Sequence, residues 1–176
     1  HAHGTAGIKA AIRAGVDSVE HASFMDDEAI QMAIAAGTFL SMDIYNTEYT
    51  LETGEATGAL PENIEKERQV GSEQRNSFRQ AVAAGAKVVL GTDASIYPHG
   101  LNARQLSRMV QFGMTPMQAL KAATSLNAQL FDRPDVGAIQ AGRMADIIAV
   151  TGDPLQDISL LEEVEFVMKA GVVYKR

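Results

Sequence analysis

Cysteine is absent from the 176 residues, which excludes a disulfide framework and any thiol catalysis. Tryptophan is absent too and aromatics make up only 6%. Basic residues are the minority: Lys and Arg total 15 against 22 Asp and Glu, a net charge of −7 with no basic block. A chain short of cations and stacking rings is not expected to have nucleic acid as a partner. No apolar run approaches the roughly 18–20 residues of a membrane span, and no secretory signal is visible, so a membrane partner is not expected either. Zero cysteine suits a reducing or an oxidising compartment, which leaves cytoplasm and periplasm both open. The 46% apolar and 21% charged fractions are those of an ordinary soluble globular protein. The length suffices for a domain with a substantial core.

The chain is organised around Lys87-Val88-Val89-Leu90-Gly91-Thr92-Asp93-Ala94-Ser95. An apolar, partly β-branched run between Gly85 and Gly91 reads as a strand buried on both faces. Parallel strands of α/β proteins carry their chemistry at their C-terminal ends, where Asp93 falls. Taken alone, that aspartate could equally cap a turn or helix.

Residues 5–14 read as a helix with Ile8, Ala11 and Ile12 on one face, stopped by Gly15. Residues 16–20 form a strand ending in His21. Asp26 or Asp27 caps a helix to Ala36 that Gly37 stops, and 38–44 is the next strand. The polar stretch 45–61, with Gly54 and Gly58, is expected to be a long loop over a site, followed by a helix over 62–84. Three strand–helix units at this rhythm mean a parallel α/β sheet with right-handed crossovers. Beyond Asp93, helices are expected over 102–112 and 115–123, the second capped by Thr115 with Pro116 at its first position, and over 125–131 capped by Ser125. From Val136 the chain turns to β, with strands within 142–150, 164–169 and 172–175 and a turn at Ala170-Gly171.

His1 and His3, His21, and Asp93 then fall at the ends of the first, second and fourth strands. Imidazole and carboxylate are the donor set of zinc and similar divalent ions. His99, in the loop after Asp93, and Tyr45 and Tyr49, in the expected loop, are placed to contact substrate or simply to face solvent and pack. Arg104 and Gln105 could reach a carboxylate, though a solvated helix face is the plainer reading of both.

The runs His1-Ala-His-Gly, Ala14-Gly-Val-Asp-Ser-Val-Glu-His-Ala22 and Leu90-Gly-Thr-Asp93 resemble strands 5, 6 and 8 of the amidohydrolase superfamily. The tail Val136-Gly-Ala-Ile-Gln-Ala-Gly-Arg-Met-Ala-Asp-Ile-Ile-Ala-Val150, with Gly152-Asp-Pro-Leu155 and Val167-Met-Lys-Ala-Gly171, resembles the last strands of that family's accessory β-sandwich. The branch it most resembles is that of the imidazolonepropionase-like and Xaa-Pro dipeptidase (prolidase-like) enzymes.

The resemblance implies an α/β fold: the C-terminal half of a (β/α)₈ TIM barrel, strands 5–8 with their helices, over residues 1–135, and strands of a small β-sandwich over 136–176. It implies a divalent-metal cofactor, one or two ions and usually zinc, held by His1, His21 and Asp93. Asp93 is also the proton shuttle for a metal-activated water, and His3, Tyr45 and His99 are assigned to substrate. The alternative, that His1 and His3 are the family's strand-1 His-x-His pair, would require seven strands before the strand-8 motif, and only three follow. The family's own strand-1 pair and strand-4 lysine have no counterpart here. The chain is therefore expected to be the C-terminal part of a hydrolase of amide or peptide bonds, acting on small molecules or dipeptides such as Xaa-Pro or N-acyl amino acids. Its expected partner is the N-terminal half of the barrel or a second copy of itself, and alone it is expected to be inactive or nearly so. The competing readings are a half-barrel that only completes another chain, and a cyclic-amide hydrolase or deaminase of the same superfamily. A deaminase would carry His-x-Asp-Glu where this chain has His1-Ala-His-Gly.

Overall fold

The computed structural model describes residues 1–176 in full. Its centre is a parallel sheet of three short strands, β1 (Ser18–Glu20), β2 (Phe39–Ser41) and β3 (Val88–Val89), in the order β1-β2-β3. Val19 lies beside Leu40, and Leu40 beside Val88. All three are buried, as apolar strands covered by helices must be. The first residues extend the sheet by one line: Ala2 bridges His21 in parallel, with Ala2 N–H on the Glu20 carbonyl at 3.2 Å. The segments ending in His3, His21, Asp43 and Asp93 therefore lie side by side and run the same way.

Helix α1 (Thr5–Arg13) turns Ile8 and Ile12 into the core. Helix α2 (Asp27–Ala36) starts where the Asp26 carboxylate accepts the Ala29 N–H at 2.8 Å and ends at Gly37 in the left-handed conformation. Between β2 and β3, the expected loop over 45–61 is instead helical: α3 (Ile44–Thr57) and α4 (Pro61–Ala83) form a hairpin joined by 58–60. The two helices approach so closely that a Cβ on Gly71 would lie 2.5 Å from Thr47 Cγ2, and one on Gly54 would lie 3.1 Å from Ile64 Cγ1. Gly54 is thus a packing residue inside a helix rather than a loop marker. Only Gly58, at φ +82°, ends one.

Helices α5 (Arg104–Gln111), α6 (Pro116–Ala123) and α7 (Ser125–Leu130) follow β3. Thr115 and Gln118 form a reciprocal capping box at the start of α6. Ser125 does not cap α7: it is its first residue, and the preceding Thr124 donates its hydroxyl to the Leu120 carbonyl instead. The tail makes a separate antiparallel sheet, β4 (Ile147–Ala149), β5 (Phe166–Lys169) and β6 (Val172–Lys175), with the expected turn at Ala170-Gly171. A 3-10 turn, Ile158–Glu162, folds back on α5 so that Ile158 and Leu161 join the hydrophobic core. No helix is long and apolar enough to cross a membrane.

Candidate metal centre

Each strand of the parallel sheet delivers a polar side chain at its C-terminal end. After β1 the backbone turns abruptly, with His21 at φ +70° and Ala22 at +47°. After β3, Asp93 sits at φ +46°. The left-handed region is costly for residues with a Cβ, and such strain persists only where the surroundings enforce it, most often at functional sites. Here the surroundings are specific. The Leu90 carbonyl accepts from Asn127 Nδ2 at 3.0 Å, the Thr92 carbonyl from the Tyr97 hydroxyl at 3.0 Å, and Thr92 Oγ1 from Asn102 Nδ2 at 3.1 Å. Gly91 lies against Ser41, where an added Cβ would run into the Ser41 hydroxyl, so adjacent strands close up just before the acid.

The three imidazoles cluster. Ring centroids are 4.4 Å apart for His1 and His21, 4.5 Å for His3 and His21, and 4.6 Å for His1 and His3. Their donor atoms lie within 4.8 Å of one another, and so do those of His21, Asp43 and Asp93. His21 belongs to both groups. All five residues line one cavity of about 410 Å³, together with Ser23, Lys66, Glu67 and Gln74 among others.

Hydrogen bonds orient the rings. His21 Nδ1–H donates to Asp43 Oδ1 at 2.9 Å, and Asn46 Nδ2 donates to the other carboxylate oxygen at 3.1 Å. This leaves His21 Nε2 free. His3 Nδ1 is hydrogen-bonded to Ser23 Oγ at 2.9 Å, so its Nε2 is free as well. The Asp43 hydrogen bond holds the His21 pKa above the ordinary imidazole value, against the opposing effect of burial. Burial, and then the nearby His21, push His3 below it. A donor set of imidazoles and carboxylates from several strands, with one ring braced by a carboxylate, fits a divalent cation of the zinc type.

His1, His3, His21 and Asp93 are therefore brought together, while Tyr45 and His99 do not line this cavity. His99 is exposed in the 98–100 segment. Tyr45 is 1% exposed in α3, stacked edge-on with Tyr97 at 4.9 Å, its hydroxyl accepting from Arg104 Nη1 at 3.1 Å. Two residues escaped the sequence reading. Asp43 ends β2 as Asp93 ends β3, and the same apolar-strand-to-Asp rhythm, Phe39-Leu40-Ser41-Met42-Asp43, was the signal for it. Gln105, read as a solvated face, is instead fully buried and grips the turn around Asp43. Its Nε2 donates to the Met42 carbonyl at 2.6 Å, and its Oε1 accepts the Tyr45 N–H at 2.8 Å. Asp43 precedes α3 but makes no cap bond, its carboxylate being engaged by His21 and Asn46. Gln105 caps the helix in its place. Nothing local in the sequence reveals a cap supplied from sixty residues away.

Known proteins resemble this chain along nearly its whole length. The amidohydrolase family model matches residues 1–175. Ochratoxinase from Aspergillus niger is 35% identical over 182 aligned residues, covering 99% of this chain and 37% of its own length. Among solved structures, a Xaa-Pro dipeptidase with methionine bound in its active site superposes with a TM-score of 0.93 at 41% identity, covering all of this chain and 44% of that one. A prolidase complexed with N-methylphosphonate-L-proline superposes with a TM-score of 0.90 at 27% identity, again over all of this chain and 44% of that one. The chain thus spans about two fifths of the length of these relatives.

Proposed function

The chain belongs to the amidohydrolase family, and from that premise we propose that it carries one half of the site of a metal-dependent hydrolase of carbon–nitrogen bonds. The substrates we infer are dipeptides such as Xaa-Pro, or N-acyl amino acids. The observation that carries the reading is the meeting of three imidazoles and two carboxylates at four neighbouring parallel strand ends. The substrate class is supported by the dipeptidase and prolidase neighbours, one holding a free amino acid and the other a phosphonate derivative of proline.

His1, His21 and Asp93 would hold the cation, with zinc the favoured ion. The chemistry a divalent ion supplies when bound there is Lewis acidity, which polarises a carbonyl and acidifies water. Asp43 takes the Nδ1 proton of His21 in a hydrogen bond, fixes the ring plane and leaves Nε2 as the lone-pair donor. Asp93, at the exposed rim of the cavity, accepts the proton of the attacking water and returns it to the leaving amine. His3 offers its free Nε2 to the substrate from beside His21. Tyr45, with its hydroxyl held by Arg104, braces this wall from behind. His99 would reach substrate only over the 94–101 segment.

The parallel strands with their helices, residues 1–135, are read as strands 5–8 of a (β/α)₈ barrel, and 136–176 as strands of a small β-sandwich. Half a barrel leaves the backbone groups of its end strands unpaired and its inner layers unfilled. The working unit on this reading joins this chain to a matching N-terminal portion, and the chain alone has little or no activity. The test is metal content and turnover of Xaa-Pro dipeptides and N-acyl amino acids, measured for the chain alone and for a form that includes the N-terminal portion. Turnover by the longer form only is expected. Equal turnover per site by the chain alone would overturn the half-site reading, and no turnover of any amide by the longer form would overturn the hydrolase reading.

A further inference from the structure

Lys66, on α4, lines the imidazole cavity and also a second cavity of about 290 Å³ that continues from it along the groove between α3 and α4. The two cavities share Asn46, Lys66, Glu67 and Ile96. Lys66 is the only lysine or arginine on either wall. Other cations nearby are neutralised: Arg68 pairs with Glu65 at 2.7 Å and Arg75 with Glu48 at 2.6 Å. Lys66 enters no ion pair. The adjacent Glu67 forms no ion pair with it: one of its carboxylate oxygens accepts from the Thr47 hydroxyl at 3.0 Å. Asp43 is likewise engaged, by His21 and Asn46. The second cavity is walled mainly by hydroxyls and amides, among them Thr50, Thr53 and Asn63, with Glu67 its one carboxylate.

An exposed ammonium with no ion-pair partner at the edge of the cleft attracts an anion, and a charge-assisted N–H···O bond is among the stronger polar contacts a side chain can make. In an N-acyl amino acid the carboxylate is separated from the scissile nitrogen by a single carbon. A cation shared by the cleft and the groove is therefore suited to hold the carboxylate while the amide carbonyl faces the imidazoles. We propose that Lys66 binds the free carboxylate of the substrate and that the polar groove between α3 and α4 receives the amino acid that bears it. The flexible lysine stem reads charge rather than bidentate shape, so amino acids differing in side chain share the same anchor. This assignment deepens the hydrolase reading and rests on it for the placement of the scissile bond.

The test uses N-acetyl-L-methionine and its C-terminal amide, N-acetyl-L-methioninamide, with the metal-loaded protein that includes the N-terminal portion. Binding is followed by calorimetry and turnover by methionine or methioninamide release, in the wild type and in Lys66→Met and Lys66→Arg. The acid is expected to bind the wild type better than the amide. Lys66→Met is expected to weaken the acid about tenfold, the loss of one charge-assisted hydrogen bond, to leave the amide unchanged, and to show the loss in KM rather than kcat. Lys66→Arg restores most of it. Equal effects of Lys66→Met on acid and amide, or none on either, would overturn the assignment. No turnover of either compound, with the Lys66-dependent preference for the acid intact, would overturn the hydrolase reading and support the carboxylate site.

Discussion

Replacing Gln105 with leucine keeps the buried volume but removes both hydrogen bonds that flank Asp43. The two partners lose unequally. The Met42 carbonyl keeps a second donor, the Ile44 N–H at 3.1 Å, so its loss is that of an ordinary hydrogen bond, about 0.5–1.5 kcal/mol. The Tyr45 N–H lies in the first turn of α3, where no backbone acceptor exists, and Tyr45 is sealed from water. Leaving it unsatisfied costs about 1–3 kcal/mol. The sum, about 1.5–4.5 kcal/mol, is a large share of the total stability of an ordinary domain. Urea denaturation of Gln105→Leu should show a lower midpoint at unchanged slope, because the surface exposed on unfolding is the same. The same variant should loosen Asp43 against His21, read as a downward move of the His21 imidazole titration by NMR in the metal-free protein. A stability loss below about 0.5 kcal/mol, together with an unmoved His21 titration, would refute the idea that this glutamine holds the strand-end turn.

Asp43→Asn should lower the His21 pKa towards its ordinary value. Because the pairing raises that value, its contribution to stability is present in full at acidic pH and fades as pH climbs through the raised folded-state value. The variant should therefore lose stability on the acid side of this window and match the wild type above it, as tracked by the urea midpoint against pH. Thr115→Ala breaks the capping box of α6 and should cost about 1 kcal/mol in the same assay, with no effect on the imidazole cluster. Gly71→Ala should destabilise. The new methyl meets Thr47 Cγ2, which is fixed by the Thr47 hydrogen bonds to Glu67 and Gln74, and overpacking of about 1–3 kcal/mol outweighs the roughly 1 kcal/mol gained in helix propensity. Thermal melting of Gly71→Ala, beside Gly71→Ala combined with Thr47→Ser, checks this. The double variant should recover most of the loss.

The parts of this molecule that can be read along the chain are those written in local chemistry. Asp26 before α2, Pro116 behind Thr115, and the apolar runs of β1, β2 and β3 each state their role within a few residues. The alignment of His1, His3, His21 and Asp93 followed from strand rhythm and from the family resemblance together. What escaped is tertiary. The segment 45–61 looks like a loop because its glycines are usually punctuation, yet Gly54 and Gly71 exist to let two helices touch. That pairing depends on a neighbour that local sequence does not announce. The roles of Gln105 and Asp43 escaped for the same reason. The aspartate beside α3 braces a histidine, and a glutamine from α5 caps α3 in its stead. Polar residues far apart in sequence can trade hydrogen-bonding roles whenever packing brings them together, and only the folded chain records the trade.

A crystal structure of the protein grown with zinc, with anomalous scattering at the metal edge used to place the ion, decides whether these side chains form a metal centre. An anomalous peak is expected, bonded to imidazole nitrogens of His1 and His21 and to a carboxylate oxygen of Asp93 at about 2.0–2.2 Å, with His21 Nδ1 still on Asp43. A peak held by other residues, or no peak in the cavity at saturating zinc while the four side chains keep their present positions, would contradict it.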